Sequence, residues 1–256
     1  MSSKAQKNGL KVEYIKIPND INEYATAYWS SWANPVQATG KLTFPHLGEN
    51  TPTELEALEA FKRELHKTLH GDENDHWVKV VDPEEKKIVA GARWLIYPEN
   101  PYRGPYKKPQ VTQFAEGSER RELAESMYEQ LLVHRPRMMP ISHACGLALW
   151  ILPEHRDRGI GDLILEFFVG LVDEKGLESY LEGTIMGTKL YQRWGFVTMS
   201  QVRLSFEKED PSQEWKEIAS ELESEPVNIM WRPRGGVYKG GKTVIPWEGE
   251  PRKAKL

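Results

Sequence analysis

Arg156, Arg158, Gly159 and Gly161 fall inside six residues, just after an apolar run, Gly146 to Leu152, that ends at Pro153. Two guanidinium groups beside two glycines are the ingredients of an anion site. The guanidinium matches phosphate oxygens in bidentate fashion, and a missing Cβ lets an anion approach the backbone. Behind them Leu163, Ile164, Phe167, Phe168, Leu171 and Val172 recur at helical spacing, with Asp162, Glu166 and Asp173 on the other side and Gly176 as a stop. The first N–H groups of such a helix have no partner within it and carry partial positive charge, so they complete the site. Asp162 works against an anion there, unless its carboxylate supports the helix start itself.

Which phosphate-bearing ligand fits is decided by what the spacing lacks. A dinucleotide fingerprint needs a third glycine where Ile164 stands, and a nucleoside-triphosphate loop needs Lys and Ser/Thr where Asp162 and Leu163 stand. Downstream, Leu177 to Glu182 alternates as a strand, and Thr184 to Phe196, TIMGTKLYQRWGF, reads as a short helix closed by Gly195. Pro153-Glu154-His155-Arg156-x-x-Gly159-x-Gly161, followed by Leu190-Tyr191 to Gly195-Phe196, resembles the acetyl-CoA loop and late helix of the GNAT superfamily of N-acetyltransferases. The ending Met230-Trp231-Arg232-Pro233 with Gly235-Gly236 is similar to that of fungal small-molecule members.

The resemblance implies an α/β (α+β) fold: a mixed, mostly antiparallel central sheet, splayed between its fourth and fifth strands and flanked by helices. It implies acetyl-CoA as co-substrate and transfer of acetyl to a primary amine by direct attack in a ternary complex. The diphosphate falls to Arg156, Asp157, Arg158, Gly159, Ile160, Gly161 and Asp162, and the thioester carbonyl to backbone N–H near Leu149, Trp150 and Ile151. Tyr191 is the matched position for protonating the departing thiolate, against the alternative of a packed aromatic with its hydroxyl capped locally. Many members have an asparagine seven residues before the tyrosine; here Thr184 stands there, leaving that cofactor contact open.

A base for the substrate ammonium stays open among Glu182 at its strand end, His143 at the start of the central strand, and bulk water. Glu182 is the expected one. Trp29 and Trp32 could stack on a flat substrate or shield a cation, but their helical spacing equally suits core packing. Cys145 and His143 share a strand face, yet lone strand cysteines are usually small buried hydrophobes. His66, His70 and His76 near Asp72, Glu73 and Asp75 match no zinc pattern, and no metal is expected.

The remaining elements must hold these groups. Strands are expected at Val12–Ile17, His76–Val81, Ile88–Tyr97, 142–152, 198–206 and Val227–Trp231; helices from Asn19-Asp20 to Asn34-Pro35, from Glu54 to Leu69 with Thr53-x-x-Glu56 as its cap, over Glu119–His134, and around Trp215, Ile218 and Leu222. Residues 36–53 read as a loop. The expected layout is a flexible tail at 1–10, a single domain at 11–232 with an insertion at 98–140, and an irregular extension at 233–256.

At 256 residues, 39% hydrophobic and 28% charged, the chain has enough apolar matter for one sizeable core and is not a disordered composition. Its most apolar stretch, Ile164 to Val172, is too short to cross a bilayer, and residues 1–10 lack the apolar block of a signal peptide. A single cysteine fits a reducing compartment, with the cytoplasm as the default. A net charge of −4 and no basic stripe argue against nucleic acid and are compatible with a cationic amine. Expected partners are a small-molecule amine, no nucleic acid and no membrane, in a monomer or homodimer. The competing functions are an acyl-CoA-binding sensor or scaffold without turnover, and a protein lysine or N-terminal acetyltransferase.

Overall fold

Among the described residues, eight strands form one sheet in the order β1-β2-β3-β4-β5-β6-β8-β7. The computed structural model describes residues 6–7, 9–69 and 72–248. The strands are β1 (Gln6–Lys7), β2 (Leu10–Tyr14), β3 (Asp75–Asp82), β4 (Lys87–Tyr97), β5 (His143–Ile151), β6 (Glu178–Gly183), β7 (Val197–Val202) and β8 (Val227–Arg232). The helices are α1 (Ile21–Ala33), α2 (Ala38–Thr43), α3 (Pro52–Thr68), α4 (Glu119–Leu132), α5 (Arg135–Met138), α6 (Ile160–Glu174), α7 (Ile185–Arg193) and α8 (Gln213–Ser224). Every neighbouring pair of strands is antiparallel except β5 and β6, which run parallel. The reason is covalent: α6 carries the chain from one to the other as a crossover, and a crossover returns the chain in the same direction.

Successive side chains of a strand point to opposite faces, so one sheet serves two cores. On one face Trp94, Ile96, Ala144 and Leu181 pack under the apolar side of α6, Leu163, Ile164, Phe168 and Val172. On the other, Trp77 and Trp150 meet Tyr24 of α1 and Leu65 of α3, while Cys145, Tyr180, Ile229 and Trp231 meet Met138 and Met139. A further core lies away from the sheet: Ala38 and Leu42 of α2, Leu123 and Met127 of α4, and Trp215, Ile218 and Leu222 of α8 bury one another. Residues 36–53, 98–140 and 208–225 thus share one small apolar cluster.

Local sequence accounts for most boundaries, and four places differ from the expectations above. Residues 36–53 contain α2, a helix anchored by tertiary contact, since its Ala38 N–H donates to Glu221 Oε1 at 2.8 Å. The cap of α3 is Thr51, whose hydroxyl accepts from Glu54 N, because Pro52 takes the first helical position, where its missing N–H costs nothing. The strand expected at 198–206 ends at Val202, after which Leu204 turns into the cluster of α4 and α8. Leu10, placed in the tail by sequence, is 2% exposed on β2. In the extension after Arg232, Ile245 and Trp247 pack against Trp231, with the two indole rings 5.7 Å apart. Residues 1–5, 8 and 249–256 lie outside the described residues, as does His70. No described helix is long and apolar enough to cross a membrane.

Candidate active site

The site begins where the parallel pair stops. β5 and β6 pair at only four positions, from His143 with Glu178 to Gly146 with Leu181, although β5 continues to Ile151 and β6 to Gly183. At the same point the register between β4 and β5 slips: Arg93 faces Ala148 and Trp94 faces Gly146, leaving Leu147 as the extra residue of a bulge. A bulge bends its strand and increases the local twist, which turns the end of β5 away from β6. The strands splay at the position the resemblance implies, since β5 and β6 are the fourth and fifth strands once the two-residue β1 is set aside.

A cavity of about 140 Å³ occupies the splay and is lined from both faces of the sheet. Trp94, Ile164, Leu165 and Phe168 line it on the α6 side, and Trp32, Arg93, Leu147 and Glu182 on the side of α1 and α5. Thr184 and Tyr191, from the start and end of α7, complete the wall. The opening therefore passes through the sheet.

At the α6 side lies the glycine loop. Gly159 is the N-cap of α6 with φ 76°, a left-handed conformation that costs glycine little, and Asp157 before it has φ 60°. No side chain caps the helix, so its first N–H groups stay available for an anion. Gly161 serves packing instead, since a Cβ there would lie 2.8 Å from Leu190 on α7. Asp162 is drawn away from the loop: its carboxylate accepts from Arg193 Nη2 at 2.8 Å and from Trp194 Nε1 at 3.0 Å. The carboxylate that seemed to oppose an anion therefore ties α6 to the end of α7. Among the described residues the Arg156 guanidinium makes only long contacts, to Ile151 O at 3.4 Å and Ser31 O at 3.5 Å. Arg158 is partly engaged, its Nη2 donating to Asp82 Oδ2 at 2.8 Å and its Nη1 meeting His155. The loop fits a diphosphate: an uncapped helix start, a left-handed glycine, and a guanidinium with weak internal ties.

Further along β5, Leu149 lines the cavity and packs with Ile151 against the α6 core, whereas Trp150 faces the other way and its Nε1 donates to Tyr24 Oη at 3.2 Å. Ile160, the first residue of α6, is buried in the core between that helix and the sheet. Thr184 caps α7, its hydroxyl accepting from Gly187 N at 3.2 Å, and also reaches the cavity. Tyr191 packs edge-on to Phe196, 5.8 Å between centroids, on the α6 side. Burial pushes its phenol up to about 12, so the hydroxyl keeps its proton through neutral pH.

Glu182 lies across the opening from Tyr191, on the other face. Its two oxygens accept from Arg135 Nε at 2.9 Å and Nη2 at 2.7 Å, and its side chain is 9% exposed. A second pair of the same geometry stands nearby: Arg93, which lines the cavity, donates to both oxygens of Asp75 at 2.9 and 2.8 Å and lies over the Trp77 ring. Arg135 and Arg93 escaped the sequence reading, and Asp75 entered it only beside the histidines, because partners 47 and 18 residues apart leave no local spacing signal.

The two tryptophans part company. Trp32 lines the cavity, whereas Trp29 is 4% exposed, donates to Glu54 Oε1 at 2.9 Å and packs on Phe44. His143 is fully buried away from the cavity, and burial drives it down to about 4. Burial pushes the Cys145 thiol up to about 12, so it is no ready nucleophile. Asp82, Glu85 and His155 bring ligand atoms within 4.8 Å of one another, but Arg158 already occupies the Asp82 carboxylate.

No protein-family model matches the chain, and no curated protein matches it by sequence. Solved structures do. A putative arylalkylamine N-acetyltransferase from the yellow fever mosquito superposes with a TM-score of 0.57 at 13% identity, covering 87% of this chain and 86% of that one. A protein described as histone acetyltransferase HPA2 and related acetyltransferase, from Corynebacterium glutamicum, gives 0.51 at 16% identity over 90% of this chain and 97% of its own. Ribosomal-protein-S5-alanine acetyltransferase from Vibrio fischeri gives 0.51 at 11% identity over 90% and 95%. At such identities the likeness is one of architecture: the chain has the GNAT acetyltransferase fold.

Proposed function

We propose that the protein is an acetyl-CoA-dependent N-acetyltransferase that acetylates the primary amine of a small molecule by direct attack. The observation that carries this reading is the opening through the sheet, with a half-buried protonated phenol on one face and a carboxylate on the other. Acetyl-CoA, when bound, supplies an activated acyl group as a thioester.

The chain's own residues divide the remaining work. Uncapped N–H groups at the start of α6, with Gly159 and Arg156, hold the diphosphate, and the bared backbone of β5 beyond Gly146 receives the thioester carbonyl. The amine nitrogen forms its bond to the carbonyl carbon as the carbon–sulfur bond breaks. Glu182 takes the amine proton, directly or through one water, using lone pairs that Arg135 leaves open; Arg135 fixes its orientation. Tyr191 gives its proton to the departing sulfur. We place the enzyme in the cytoplasm, as a monomer or homodimer without metal.

Tyr191→Phe tests the assignment. Thiol release with an amine should fall about 10- to 100-fold in kcat, while the affinity for CoA measured by calorimetry stays within about twofold. Unchanged turnover would remove Tyr191 from the chemistry. CoA binding without thiol release for any amine would favour the sensor reading instead. A peptide outpacing every small amine would favour a protein substrate.

A further inference from the structure

The acceptor side of the opening has an unusual charge arrangement. Glu182 is the only carboxylate among the cavity-lining residues, and Arg93 the only cation. Both are already neutralised from behind, Glu182 by Arg135 and Arg93 by Asp75, each through two hydrogen bonds no longer than 2.9 Å. The carboxylates are the enclosed members of these pairs, Asp75 and Glu182 being 5% and 9% exposed at their side chains against 30% for Arg93 and 14% for Arg135, so neither carboxylate leaves its guanidinium at small cost. The rest of that wall is apolar, from Trp32 and Leu147.

Resting on the acetyl-transfer reading, we propose that this half of the site selects an apolar monoamine of the arylalkylamine class, and discriminates against polyamines and free amino acids. A polyamine brings a second ammonium that must lose its water. Among the described residues the charged groups lining the cavity are then Glu182, whose charge Arg135 balances, and Arg93, whose charge Asp75 balances and which repels an ammonium. An amino acid brings a carboxylate, which finds the Nε–Nη2 edge of Arg93 already taken by Asp75 and would have to share that guanidinium with it. A monoamine on a ring brings neither difficulty. Its apolar body lies against Trp32 and Leu147, and its nitrogen alone reaches Glu182.

The test compares tryptamine, spermidine and phenylalanine, each with acetyl-CoA, by thiol release, and by calorimetry on the CoA-loaded protein. Tryptamine should exceed both others in kcat/KM by about 100-fold or more, the penalty for leaving buried charge unmatched. Spermidine or phenylalanine turned over as well as tryptamine would overturn the substrate class while leaving acetyl transfer intact. Tryptamine binding alone, with no thiol released by any amine, would uphold the class and sink the transfer. No amine binding at all would overturn the class.

Two variants sharpen the comparison. Trp32→Ala should lower kcat/KM for tryptamine about tenfold and for butylamine much less; equal losses would count against ring recognition. Arg135→Gln unclamps Glu182 and should move the tryptamine-to-spermidine ratio towards spermidine, and an unmoved ratio in a folded variant would overturn the role given to the pair. Should Arg135→Gln fail to fold, as an uncompensated buried carboxylate can cause, Trp32→Ala decides.

Discussion

His143 opens β5 with no exposure, its Nδ1–H donating to Ile141 O at 2.7 Å and its ring packed against both Tyr97 and Tyr102. Burial above all, with the charge of Arg135 adding to it, holds the imidazole down at about 4. In the unfolded chain the same ring titrates near 6.5, so between these values the unfolded state binds a proton that the native state refuses. Stability from this group is complete above pH 6.5 and declines as pH falls towards 4, by about 2 kcal/mol at pH 5. Melting at pH 7 and pH 5 should show a drop that His143→Gln largely abolishes; an equal drop in both would show that the acid sensitivity lies elsewhere. Single residues also show how far sequence could see. Tyr191 and Glu182 stood out because each lies in a short motif or at a strand end. Their surroundings did not, since Arg135 and the bulge at Leu147 exist only once distant segments meet.

Between β3 and β4 the turn does more than reverse the chain. Asp82, 4% exposed at its side chain, accepts from the N–H groups of Glu84 and Glu85 within the turn and from Arg158 across to the glycine loop. One carboxylate thus fastens the hairpin to the loop that opens α6, and holds the guanidinium at one edge. Asp82→Asn should weaken acetyl-CoA binding about tenfold, near 1.4 kcal/mol, with kcat at saturation little changed. Equal affinity in calorimetry would reduce Asp82 to a turn residue. At this scale the reading from sequence was good where period and punctuation agreed, as in α6 between Gly159 and Gly176. It was poor for α2: ATGKLT is too short to show a period, and the helix depends on Glu221 on α8.

Taken whole, the molecule joins two sheet portions, β1 to β5 and β6-β8-β7, along one short parallel seam. The mixed, mostly antiparallel sheet and its splay between the fourth and fifth strands were implied by the resemblance, whereas the placing of β8 between β6 and β7 was not read from sequence. Nor was the cluster of α2, α4 and α8: the helices at 119–134 and around Trp215 were legible one by one, but 36–53 read as a loop and nothing local says that the three pack on one another. Beyond Gly146 and Leu181 the seam hangs open, and each lip carries main-chain groups with no facing strand among the described residues. Amide exchange at Leu147 to Leu149 should slow by at least about tenfold when CoA is added, and fast exchange in its presence would mean that the ligand lies elsewhere. A sheet with an unfinished row behaves like a zip fastened from one end only, so whatever lies in the row adds its own rigidity to both halves. The melting temperature of this chain should therefore report on its cofactor as sensitively as any assay of turnover.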